Sequence, residues 1–139
     1  MAVERCEIDL RVRYAETDQM GYVHHSKYAV YFEMGRTELL RACGASYRAM
    51  EESGSFFVVV RLDTRFLAPA RYDDELRLVT QTTRLTRARI EHDYKLYRKS
   101  DNRLLTEGHS VLACVNRQGQ VIAIPDLFMQ HFDPEWDSK

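Results

Sequence analysis

Along residues 7–14 apolar and charged positions alternate strictly. Ile8, Leu10, Val12 and Tyr14 fall on one side, Glu7, Asp9, Arg11 and Arg13 on the other. A period of two marks a strand with one face buried and one in water, and it predicts a strand ending on Tyr14. The pattern breaks over 16–23, where Gly21 reads as a turn residue. From Ser26 the spacing becomes helical. Tyr28, Phe32, Gly35, Leu39 and Cys43 recur on one face, with Arg36, Glu38 and Arg41 on another. Val30, Tyr31, Met34 and Leu40 widen the apolar stripe beyond that of a surface helix, so much of the circumference is expected under cover. Gly35 in mid-helix costs about 1 kcal/mol relative to alanine, which points to a close approach to a sheet. Gly44 predicts the helix stop, and 46–53 a short second helix ended by Gly54.

The remainder reads as strands. Residues 56–67 are β-branched and aromatic, with Leu62, Thr64 and Phe66 alternating against Arg61, Asp63 and Arg65. Pro69 and the run Tyr72-Asp73-Asp74 mark a turn. A Thr-rich strand follows over 76–85, then a strand in which Ile90, His92, Tyr94 and Leu96 alternate with Glu91, Asp93 and Lys95. Ser100-Asp101-Asn102 turns into a strand over 104–116, Arg117-Gln118-Gly119-Gln120 turns again, and 121–124 returns. Pro125 opens a tail with a helical turn over 126–132. The order predicts one α+β domain over 1–139, a long helix packed on an antiparallel sheet. One helix cannot cover both faces and both edges of such a sheet, so an oligomer is expected.

A formal net charge of −1 argues against a nucleic-acid partner. Cys6, Cys43 and Cys114 are scattered and form no CxxC pair, so neither a disulfide framework nor a zinc knuckle is expected, and a cytoplasm-like compartment is the default. The first residues carry no apolar run of the signal-peptide kind, and no run is long enough for a membrane span. A nucleophile elbow, a Gly-rich dinucleotide loop, a P-loop and an H-E-x-x-H motif are all missing. His24 and His25 are adjacent, and neighbours at a helix start point in different directions, so no metal and no cofactor are expected.

What remains is Asp18, with Tyr14, Glu16, His24 and His25 nearby. A carboxylate in a turn before a helix lies near the positive end of the helix dipole and near amides with no intrahelical acceptor. A thioester suits such a site. Its thiolate, with a pKa of roughly 8.5, leaves without a strong acid, so a nucleophile or base and an oxyanion donor suffice. Each residue also has a plainer reading. Asp18 can be a cap or an Asx-turn former, His25 a helix-start residue, Tyr14 strand core and His92 a core histidine. Tyr28, Tyr31 and Phe32 line an acyl or aryl pocket or simply pack. Arg84, Arg87 and Arg89 are a solvated turn, or a phosphate contact where the ligand carries phosphates.

The run Arg13-Tyr14-Ala15-Glu16-Thr17-Asp18-Gln19-Met20-Gly21-Tyr22-Val23-His24-His25-Ser26-Lys27-Tyr28 resembles the signature of the 4-hydroxybenzoyl-CoA thioesterase family, in its YbgC-like branch. The matching positions are Tyr14, Thr17, Asp18, Gly21 and His25. The helix segments Phe32-Glu33 and Arg36-Thr37-Glu38-Leu39-Leu40-Arg41 are similar too, as is the block Phe66-Leu67-Ala68-Pro69-Ala70-Arg71-Tyr72-Asp73-Asp74-Glu75-Leu76. The resemblance implies a hotdog fold, a curved antiparallel sheet wrapped around the long helix, with dimers made by joining sheets and tetramers common. It implies hydrolysis of an acyl- or aroyl-CoA thioester to the free acid and CoA. Asp18 would be nucleophile or general base and the His25 backbone N–H the oxyanion donor. The His25 side chain would orient substrate or water, Tyr14 would support it, and Tyr28 would contact the acyl group. Arg84, Arg87 and Arg89 would meet the CoA phosphates. The alternatives are a non-catalytic acyl-CoA-binding hotdog module and a thioesterase for an aromatic ester of the 1,4-dihydroxy-2-naphthoyl-CoA type. A hotdog hydratase would need an Asp-x-Asn-Pro-x-His pattern, which the chain lacks.

Overall fold

The computed structural model describes residues 4–133, 135 and 136. The first strand forms over Arg5–Arg11 (β1) and stops short of Tyr14. Val12 still donates to the Asp74 carbonyl at 3.0 Å. One residue later the Glu16 carboxylate accepts the Arg13 backbone N–H at 2.8 Å and draws the chain into a 3-10 turn, Tyr14–Glu16. Tyr14 is therefore 77% exposed, its ring edge-on to Tyr72 at 5.5 Å, and is not strand core.

The long helix spans His25–Ala42 (α1) and buries Tyr28, Tyr31, Phe32, Gly35, Leu39 and Leu40. Gly44, at φ +87°, supplies the left-handed turn that ends it. A second helix, Tyr47–Glu52 (α2), is capped by Ser46, whose hydroxyl oxygen accepts the Ala49 N–H at 3.1 Å. Then come Phe56–Phe66 (β2), Glu75–Leu85 (β3), Arg89–Arg98 (β4), Arg103–Val115 (β5), Val121–Ile122 (β6) and a last helix, Asp126–Phe132 (α3). The sheet runs β1-β3-β4-β5-β2, with β6 added to β5, and every pairing is antiparallel.

α1 lies across the β1, β3 and β4 part of this sheet. A Cβ on Gly35 would sit 2.2 Å from the Thr80 hydroxyl on β3, so the mid-helix glycine permits the close approach. Phe32 stacks on Tyr94 at 4.4 Å and covers Gly108 of β5. Two apolar clusters result. One joins Val12, Tyr28, Tyr31, Phe32 and Leu105 near the start of α1, the other Met50, Cys114, Ile124, Phe128 and Met129 at the far end. Along β5, the buried Ser110 lies between Leu105 and Cys114, opposite the buried His92 of β4.

β2 is an edge strand, and it carries apolar side chains into the open: Val58, Val59, Val60, Leu62 and Phe66 are all exposed. Among the described residues no helix is long and apolar enough to cross a membrane.

Candidate active site

The 3-10 turn passes directly into a small hairpin. Thr17 pairs with Val23, and Tyr22 pairs with Arg71 in the segment leading to β3. Gly21, at φ +78°, makes the reversal. Asp18 stands at its base. Its N–H donates to the Tyr22 carbonyl at 2.8 Å, and its carbonyl accepts from Gly21 at 3.0 Å. Its Oδ1 accepts the N–H groups of Met20 at 2.8 Å and Tyr22 at 3.2 Å. The Asx-turn role and an exposed carboxylate thus coexist in one residue.

The hairpin also returns the chain to the start of α1. The His24 N–H donates to the Glu16 carbonyl at 2.9 Å. His24 is the N-cap of α1. Its Nδ1 accepts the Ser26 N–H at 3.2 Å, and its ring lies 4.1 Å from that of His25. His25 opens the helix and is exposed. Its N–H belongs to the first-turn amides that an α-helix leaves without an internal acceptor. Tyr28, one turn on, is buried, with its hydroxyl 3.4 Å from the Ala70 N–H and its ring edge-on to Phe66 at 5.2 Å. Burial pushes the Tyr28 hydroxyl pKa up, and the nearby negative charge of Asp18 adds to the rise.

Glu16 was noted in the sequence only as a neighbour of Asp18. In the structure it is a buried carboxylate at 5% exposure. Its Oε1 accepts the Tyr31 hydroxyl at 2.9 Å as well as the Arg13 N–H, and its Oε2 accepts the Arg13 guanidinium at 3.1 Å. Burial raises its pKa. The Arg13 backbone N–H, the Tyr31 hydroxyl and the Arg13 side chain outweigh that and hold it below the ordinary carboxylate value. No periodic signal marks this burial, because the partner on α1 stands fifteen residues away in sequence.

Tyr14, Asp18, His25 and Tyr28 therefore gather at one end of the sheet. Arg84, Arg87 and Arg89 do not join them. β3 pairs Glu75 with Arg11 beside the hairpin and runs ten residues to Leu85. At about 3.3 Å per residue, that separates the two groups by about 30 Å within one chain. At that far end Arg87 pairs with Asp126 at 2.6 Å and lies over Trp136 at 5.7 Å, while Arg84 stands 3.7 Å from Glu91. His92 is core: burial first, then the charges of Arg36 and His109, push its pKa down to about 3. Among the described residues no group of three or more His, Cys, Asp or Glu is arranged to hold a metal ion.

Comparison with known proteins shows the family and the fold. Residues 20–105 match the model of the thioesterase superfamily, 4HBT. The chain is 33% identical over 107 residues to the acyl-CoA thioester hydrolase YbgC of Escherichia coli, covering 77% of this chain and 79% of that one. It is 32% identical over 136 residues to the putative acyl-CoA thioesterase YneP of Bacillus subtilis, covering 98% and 94%. The crystal structure of a DHNA-CoA thioesterase from Staphylococcus aureus superposes with a TM-score of 0.84 at 26% identity, over 95% of this chain and 85% of that one. With a helix laid across an antiparallel sheet and a YbgC-like sequence running through both, this chain belongs to the thioesterase superfamily as a hotdog-fold thioester hydrolase of the YbgC-like branch.

Proposed function

We propose that the enzyme hydrolyses a small acyl- or aroyl-CoA thioester to the free acid and CoA, with Asp18 as nucleophile or general base. The 17–23 hairpin carries this reading, because it returns the chain from Asp18 to the start of α1, where the Asp18 charge is close enough to act on the Tyr28 hydroxyl. With Oδ1 fixed by two turn amides, the plane of the Asp18 carboxylate is set and Oδ2 is the oxygen for chemistry. In the direct route Oδ2 attacks the carbonyl carbon. In the water route it takes the proton of an attacking water. Either way the carbonyl π electrons move onto oxygen, where the His25 N–H stabilises them. Collapse of the adduct breaks the carbon–sulfur bond and expels CoA as thiolate. The direct route leaves an anhydride that water then opens. The His25 ring orients water or substrate, Tyr14 supports the turn, and Tyr28 with Phe66 meets the acyl group.

The site stands open beside the exposed apolar edge of β2. A long, apolar, unprotected edge strand is a pairing surface. We assign it to a homodimer through β2 of a second copy, which supplies the missing wall. A phosphate contact by Arg84, Arg87 or Arg89 then belongs to the assembled oligomer, since one chain holds them at the other end.

The test follows thiol release from short, medium, long and aromatic acyl-CoAs. Asp18→Asn keeps an acceptor oxygen for Met20 and Tyr22, so it preserves the turn while removing the charge. We expect turnover of at least one ester, reduced about 10²–10⁴-fold in Asp18→Asn with an unchanged circular dichroism spectrum. Full turnover in the variant refutes the role of Asp18. Ester binding without thiol release assigns the chain to the binding-module class instead.

A further inference from the structure

Among the described residues Glu16 is the one acidic side chain buried in the fold. A neutral oxygen suffices to cap a turn, whereas an ionised carboxylate out of water carries a desolvation penalty. Its position shows what the charge achieves. Through Oε1 it holds the Tyr31 hydroxyl, in the second turn of α1, and the Arg13 N–H. Through Oε2 it holds the Arg13 guanidinium at 3.1 and 3.3 Å. Through its backbone carbonyl it holds the His24 N–H, next to the proposed oxyanion donor. Bonds to a charged acceptor are short and directional. Glu16 is thus tied to α1 at two points, and it stands two residues ahead of Asp18.

We propose that Glu16 and Tyr31 form a positioning pair, which sets the distance between the Asp18 carboxylate and the His25 amide. The pair acts through Asp18, and so rests on the role proposed for that residue. Without it the hydrogen bonds that still join the turn to the helix start, among the described residues, are the His24 bond and the hairpin ladder. The carboxylate can then drift relative to the amide without loss of the fold.

Tyr31→Phe tests the pair with the least disturbance. It keeps the ring, edge-on to Tyr28 at 6.0 Å, and deletes one hydroxyl. The expected result is a fall in kcat of about ten- to a hundredfold, as for small misplacements of a reacting group, with KM little changed. The acid side of the pH–rate profile should move as well. The charged and titratable groups facing Glu16 are Arg13 on its own turn and Tyr31 on α1, with Tyr28 behind Tyr31. The Tyr31 hydroxyl helps to keep Glu16 ionised, so its loss raises the Glu16 pKa. Activity then starts to fail at a higher pH than in the parent enzyme. In Glu16→Gln, which keeps an acceptor for Tyr31 and cannot titrate, that displaced limb should be absent and part of the rate retained.

A purely structural pair would lower the melting temperature and leave kcat and the acid limb in place well below unfolding. That result overturns the proposal. Asp18→Asn is run alongside. If it alone loses turnover while Tyr31→Phe and Glu16→Gln match the parent, the positioning pair fails and the role of Asp18 stands. If Asp18→Asn is fully active, both fail. Should Tyr31→Phe not fold, Glu16→Gln decides by the same kcat criterion.

Discussion

Gly35→Ala measures how closely α1 rides on the sheet. An alanine Cβ there would lie 2.2 Å from Thr80 Oγ1 and 2.7 Å from Leu78 Cδ2, against the ~3.5–4.0 Å of a normal carbon contact. Thr80 cannot retreat easily. It is fully buried on β3 and paired across to Cys6 on β1 and Tyr94 on β4. The helix itself gains about 1 kcal/mol from replacing glycine by alanine. Overpacking of a filled core costs about 1–3 kcal/mol, and so severe an overlap belongs at the upper end. The net is about 2 kcal/mol of destabilisation, or about 5–10 °C in Tm for a chain of this size. Thermal unfolding followed by circular dichroism, at one fixed protein concentration because an oligomer's Tm depends on it, reads the value. Thr80 Oγ1 has no hydrogen-bond partner, so Thr80→Ala in the same background should return part of the loss. A Tm equal to or above the parent's would refute the close approach.

Two histidines should have pKa values displaced in opposite directions, which NMR spectra read. His109 has Nδ1 at 2.5 Å from Asp93 and Nε2 at 2.9 Å from Glu91, and two carboxylates on one ring call for the doubly protonated form. The Asp93 bond chiefly raises its pKa, against some desolvation and with help from Glu91. Its contribution to stability is therefore complete below the unfolded value of about 6.5 and is lost as pH rises through the folded value. His109→Gln should remove that part of the decline, and an unchanged pH profile would contradict it. His92, held neutral at a pKa of about 3, should show no titration between about pH 5 and 8, the window of an ordinary histidine. Val60→Lys, on a β2 residue 53% exposed, should shift sedimentation toward the monomer, and an unaltered mass would exclude pairing through that edge.

Much of the fold was legible because its signals are local. The alternation in β3 and β4 and the helical stripe of α1 each record a single buried face, and Gly44 and Gly54 end helices where left-handed φ values are needed. Gly35 even announced a close approach to a sheet, which the structure places at Thr80 and Leu78 of β3. Tyr14 misled because the alternation of β1 runs on into a turn. There the Glu16 carboxylate, not side-chain hydrophobicity, decides where the chain goes. Asp18 and His25 were singled out by motif spacing. Glu16 and Tyr31 were not paired, since a bond between a turn and a helix leaves no period in either. Where the arginines near residue 87 stand relative to Asp18 was not legible, because composition carries no information about which end of a strand a residue occupies. Only the register of β1 on β3 supplies that.

The carboxylate proposed to react is borne on a loop that adds no strand to the sheet and fastens to it through isolated bridges at Thr17 and Tyr22. Scaffold and chemistry are in that sense separable. Side chains at the tip, Gln19 and Met20, are exposed and can be exchanged without a single core contact being rewritten, at little expense in folding.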